Sequence, residues 1–226
     1  GPMPTMKTTL TIAVLLSTAL FACQTNNQKS AGTERQLTQL SKQIRVASDQ
    51  LSTVMTNLDE LSAGQGDLTK PFGKFKDSVA SLMSTTDGIE KTNAELQKQG
   101  SEYFKDWKTK LDDIQSESVR KTLESRMQET EKSLKRISAD YAKASDAWDP
   151  LEAKLNDLAT AFSIDLNPSS VKAMGREIKT VKNQATEVQK LAIKTADMID
   201  ALESEITAKQ PMPEPPAPAE DEKSDS

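Results

Sequence analysis

The sequence predicts an all-α fold: an elongated, antiparallel four-helix bundle of coiled-coil character, with a disordered N-terminal tether and a disordered C-terminal tail. Two observations lead there. The first is composition: aromatics make up 4% of the 226 residues, charged residues 28%, and there are only 8 glycines. Abundant Ala, Lys, Glu, Gln and Leu favour long amphipathic helices, whereas a sheet protein needs β-branched and aromatic runs. The second is periodicity, because apolar residues recur at alternating steps of three and four along four long stretches.

In chain order, residues 1–22 read as a signal peptide. After residues 1–5, which stand outside the fold, Lys7 supplies a positive charge and Leu10 to Phe21 an apolar run. That run suits a secretory signal and falls short of the roughly 20 residues that span a bilayer. Leu20-Phe21-Ala22-Cys23 resembles the lipobox of bacterial lipoproteins. The resemblance implies that Cys23 carries a diacylglycerol on its sulfur and becomes the first mature residue. Cys23 is the single cysteine, so a disulfide within the chain is impossible. Gln24 follows it; by analogy with enterobacterial lipoproteins, a residue other than aspartate there points to the outer membrane.

Residues 23–32 are polar and small and read as a lipidated flexible tether. Thr33 and Gln36 then have the spacing of a capping box opening the bundle, which is expected over 33–210. The first seam is Leu37, Leu40, Ile44, Ala47, Leu51, Val54, Leu58 and Leu61, closed by Gly64 and Gly66. A second begins near Pro71 and runs through Phe72, Phe75, Val79, Leu82, Thr86, Ile89, Asn93, Leu96, Gly100, Tyr103, Trp107 and Ile114, with Leu111 alongside. Gly100 either breaks this helix or is tolerated; the register survives across it, which favours continuity. Asn93 reads as a polar residue that fixes register, against a reading as a partner-facing site. The third seam runs from Leu123 to Phe162 with Pro150 inside it, where a kink is expected. Asn167-Pro168 has the form of an N-cap with proline at the first helical position, and opens a fourth seam from Val171 to Ile206. Residues 211–226 combine proline with five acids against Lys223 and are expected to be disordered.

Short connections between long helices require antiparallel neighbours. Register then places Leu58, Leu61, Phe72, Phe75, Leu158, Phe162 and Val171 together at the end far from Cys23. The turn near 112–120 comes back toward the anchor.

The stretch from Tyr103 to Ile178 resembles a bacterial lipoprotein family known as domain of unknown function 2959. The residues that carry this are Asp106-Trp107 with Leu111, the turn from Ser116 to Arg120, Asp149-Pro150-Leu151, and Leu166-Asn167 before Val171. The resemblance implies a helical envelope protein with no known activity. Where the family pattern has a Lys-His pair before the Leu-Asn, this chain has Ser163 and Ile164, so a property resting on that pair would not carry over.

The residue inventory speaks against chemistry. The chain has no histidine, the commonest general base and metal ligand. The serines therefore cannot form a Ser-His-Asp relay, and neither GxSxG nor a phosphate-binding glycine motif is present. Asp112-Asp113 and Glu203/Glu205 read as solvated helix faces rather than paired acids or metal ligands. The net charge of −5 lies mostly in the tail and no basic block stands out, which argues against nucleic acid. Trp107 and Trp148, with Tyr103 and Tyr141, occupy seam positions and read as core, against an aromatic ligand slot.

The expected function is that of a non-enzymatic structural or protein-interaction rod. It is held by the acyl anchor on Cys23 at the outer membrane facing the periplasm, with a protein partner in the envelope, no catalytic residues, no cofactor and no metal. Homo-oligomerisation stays open, since heptad seams permit exchange of partners. The alternative is a small-molecule or lipid-binding helical module with a void along Thr86–Gly100, where seam residues are small or polar.

Overall fold

A computed structural model describes residues 10–208, with side chains described for 32–205. The expected disordered tail at 211–226 lies outside the described residues, as does the Cys23 side chain. Every element among the described residues is helical: α1 (Leu10–Ala63), α2 (Thr69–Leu111), α3 (Glu117–Ile164), α4 (Pro168–Ala173) and α5 (Gly175–Ala208). α1 packs on α2 and α5, and α3 packs on α5 and, less extensively, on α2. The four long helices thus form a square with α1 diagonal to α3 and α2 diagonal to α5. At about 1.5 Å per residue, the 48 residues of α3 extend on the order of 70 Å.

The heptad stripes are the core. In α1, Leu37, Leu40, Ile44, Leu51, Val54, Leu58 and Leu61 are all buried, and Ala47 packs against them. The far end has the expected membership: Leu58, Leu61, Phe75, Leu158, Phe162 and Val171 form one cluster, with Phe72 against it. Phe162 meets Phe72 and Phe75 edge-on at centroid distances of 6.4 and 6.5 Å, the arrangement that aligns ring edge with ring face. A middle cluster joins Leu37, Leu40, Ile89, Leu96, Ile137 and Ile199. A third, of Phe104, Leu111 and Met127, fills the α2–α3 hairpin.

Several terminators behave as expected. Gly66 has φ 78°, a conformation that glycine takes without steric cost. Asp67 accepts from the Thr69 amide (2.9 Å) and hydroxyl (2.6 Å), and Pro71 sits in the first turn of α2. Asn167 caps α4 by accepting from the Ser170 amide at 2.9 Å, with Pro168 behind it. Gly100 does not break α2: it is buried, and a Cβ placed there would lie 3.7 Å from Leu134. α3 passes through Pro150 without interruption. Pro150 and Asp146 are both exposed, so the carbonyl left without its helical donor faces water.

Three expectations need correction. The helix does not open at a Thr33–Gln36 capping box, because α1 begins upstream of it, at Leu10. The weak helix formers Thr25, Asn26, Asn27 and Gly32 lie in 24–32, and Gly32 faces α2 at Gln99; Thr33 is buried within the helix. The fourth helix is divided at Met174, whose amide reaches the carbonyls of both Ser170 and Val171 just before Gly175, a weak helix former. Beyond Gly100 the buried stripe of α2 is Phe104 and Leu111, while Tyr103 and Trp107 are only partly buried. The steps from Leu96 are four, four and seven, closer to the 3.67-residue period of an 11-residue repeat than to the 3.5 of a heptad.

Phe162 is 1% exposed and Ile164 80% exposed, which sets up a paired comparison. Phe162→Ala should cost about 3–5 kcal/mol of unfolding free energy in urea titrations followed by circular dichroism. Ile164→Ala, two residues on, should change it by less than about 0.5 kcal/mol.

Candidate functional site

Three of the four edges of the square are stitched by ion pairs. Between α1 and α5, Thr38 donates to Glu203 (2.7 Å), Arg45 donates to Asp197 (2.7 Å) and Asp200 (2.6 Å), and Lys182 pairs with Asp59 (2.7 Å). Ser41 also donates to Asp200. Burial pushes the Asp200 carboxyl up, but the Ser41 hydroxyl and Arg45 outweigh it and hold the group below its ordinary 3.8. Lys74 pairs with Glu60 across α1–α2 at 2.9 Å, and Lys154 with Glu177 across α3–α5 at 2.8 Å.

The α2–α3 edge differs. Gln97 donates to Ser138 at 2.7 Å, and one heptad farther from the hairpin the same register brings Glu90 opposite Ser145. Asp87 on α2 and Asp149 and Glu152 on α3 continue that row. Burial, then the like charges of Asp149, Glu90 and Asp87, raise the Glu152 carboxyl above its ordinary 4.5. Tyr141 is raised as well, by burial first and then by Glu90 and Asp149. The carboxylates repel across this edge, and here neighbouring helices touch least.

Behind the acidic row lies a half-open cavity of about 80 Å³ to which all four long helices contribute, between Ala47 and Leu51 of α1, Thr86 and Ile89 of α2, Ala144 and Trp148 of α3, and Ala192 and Thr195 of α5. Its cause is a layer in which α1, α3 and α5 all present alanine and α2 presents threonine. Glu90 is the one charged residue in its wall. The void expected along Thr86–Gly100 is therefore found at the Thr86 end; Gly100 belongs to a separate surface hollow with Gln97 and Lys105.

The aromatic residues separate into two places. Trp148 is buried at 8% exposure and lines the cavity with Tyr141, so core packing and an aromatic wall coincide in one side chain. Trp107 stacks edge-on with Tyr103 at 5.5 Å in the hairpin. Asn93 is half-buried beside the buried Thr92. Asp112 and Asp113 are exposed at the end of α2, and Glu203 is engaged by Thr38. No group of three or more His, Cys, Asp or Glu among the described residues is placed to hold a metal ion. No helix among them is long and apolar enough to cross a membrane.

Fold and site together define a helical-bundle protein with an apolar central cavity beside an acidic edge. Residues 37–207 match the family model described as protein of unknown function (DUF2959), and the chain belongs to that family. The match runs through all the bundle helices, well beyond the stretch from Tyr103 to Ile178 in which the resemblance is visible by eye. No curated protein and no solved structure matches the chain.

The raised Glu152 carboxyl has a measurable consequence. The folded protein binds that proton more tightly than the unfolded chain, so this group's contribution is greatest below 4.5 and declines as pH rises through the interval above it. Glu152→Gln should therefore raise the melting temperature at neutral pH, and the gain should vanish below pH 4.5 in scanning calorimetry across a pH series.

Proposed function

We propose that the chain is a lipid-anchored rod of the bacterial cell envelope, without enzymatic activity, that holds its phenylalanine-rich end at a set distance from the membrane and offers its helical faces to a protein partner. The observation that carries this reading is the continuity of α1 from Leu10 to Ala63. An acyl group on Cys23 would then be joined to the bundle by helix rather than by loose chain. From Cys23 to Ala63 a helix rises about 60 Å, close to the full length of the rod.

The register of α2 against α1 supports the same placement. Gly32 lies against Gln99, and antiparallel helices advance equally in opposite directions, so Cys23 falls at the level of Lys108. That is about one turn from the end of α2 at Leu111. The hairpin tip and the anchor thus share one end, and the cluster around Phe162 occupies the other. The lipobox-like Leu20-Phe21-Ala22-Cys23, Gln24 after it, and the lack of histidine favour an outer-membrane, periplasm-facing and non-catalytic role. The partner is read as a protein of the same envelope, and a second copy of the chain is compatible with the heptad faces.

Cys23→Ser should shift the protein from the membrane fraction to the soluble fraction while leaving helicity unchanged. Intact mass of the wild-type protein from its own host should show loss of residues 1–22 and gain of a diacylglycerol. Wild-type protein that keeps residues 1–22 and carries no acyl group would sink the anchored reading.

A further inference from the structure

The central cavity combines two properties that a simple packing fault would not. Three of its polar wall groups are already committed, which leaves Glu90 and the hydroxyls of Tyr141 and Ser145 to meet a guest's polar end. The Thr86 hydroxyl donates to the Met83 carbonyl and the Thr195 hydroxyl to the Leu191 carbonyl, each at 2.9 Å. The Gln189 amide donates to the Ser48 carbonyl (3.0 Å) and the Ser52 hydroxyl (2.6 Å). Buried water needs two to four polar partners, whereas an apolar space without them stays dry and accepts apolar guests. The wall around Leu51, Leu82 and Trp148 is of the second kind.

The other property is charge of one sign at the edge. Glu90 reaches the cavity wall, and Asp149, Glu90 and Asp87 all lie close enough to Glu152 to raise its carboxyl further after burial. None of these four carboxylates is in an ion pair among the described residues. Lysines instead pair across the other three edges. The stretch of the α2–α3 edge in front of the cavity is the one left negative, and it lies between the two neighbouring helices that hold each other least.

We propose that this cavity is a binding site for a small amphipathic cation of the alkylammonium class, its aliphatic end against Trp148 and its ammonium at Glu90. The apolar part gains by leaving water against Trp148, and the ammonium supplies the ion-pair partner that these four carboxylates lack, with the Tyr141 ring beside them in the same wall. An apolar cavity of about 150 Å³ holds a benzene ring; the roughly half-sized space here suits a chain of about three or four carbons. This site is independent of the anchored-rod reading, since it needs neither Cys23 nor a partner.

The test titrates the full chain with butylammonium, butanol and butanoate. It follows tryptophan emission in a Trp107→Phe background, so that Trp148 is the only reporter. Butylammonium should give a saturable shift, butanol a shift about tenfold weaker in affinity, as loss of one hydrogen bond to a charged group implies, and butanoate none. Glu90→Gln should bring butylammonium down to the level of butanol. Ala144→Leu, filling the cavity from α3, should abolish the saturable response while helicity and cooperative melting persist. Ala192→Leu, filling it from α5, serves if the first variant does not fold. No saturable response to butylammonium, or butanol binding as tightly as butylammonium, would overturn the proposal.

Discussion

Everything in this molecule depends on the narrowness of its apolar stripes. A helix with two apolar positions in seven cannot bury them against itself, and the stripe is too thin to be covered except by another helix lying lengthwise along it. Four such stripes close a core only when each helix meets two neighbours, and the square of α1, α2, α3 and α5 is that closure. The polar residues flanking the stripes then meet at the edges. There the side chains that stitch α1 to α5 hold geometry, while the core supplies most of the stabilisation; exposed pairs such as Lys182–Asp59 contribute at most about 1 kcal/mol each.

This division explains what could be read from the chain and what could not. The stripe of α1 was readable residue by residue, because a buried seam leaves its period directly in the sequence. The meeting of Phe72, Phe75 and Phe162 followed as well, since short turns leave antiparallel register almost no freedom. The capping signal at Thr33 misled because a local motif only opens a helix when nothing upstream extends it, and Gly32 against Gln99 is a tertiary contact invisible from the N-terminal side. The shift of the α2 stripe to Phe104 was a matter of period: two successive steps of four, through Gly100, replace the three-four alternation there. The division at Met174 was marked only by Gly175, one residue among the eight glycines.

The site was legible in part. Small residues at seam positions announce missing volume, and Thr86 marked one wall. The alanines that complete the void come from three different helices, and only the assembled register sets Ala47, Ala144 and Ala192 in one layer. The acidic edge is a pairwise property of the same kind. Asp87, Glu90, Asp149 and Glu152 each look like ordinary solvated acids along their own helices, and they become a row only when α2 and α3 are laid side by side through Gln97 and Ser138.

The bond from Thr38 to Glu203 joins residues 165 positions apart, and the whole α1–α5 edge shares that remoteness. A chain made from its N-terminus forms the α1–α2 hairpin early but cannot finish the square until its last helix has emerged. Through that interval the greasy flank of α1 stands open. Closure by the final segment makes this a slow-closing topology, one in which a second chain's last helix competes for the same vacant side.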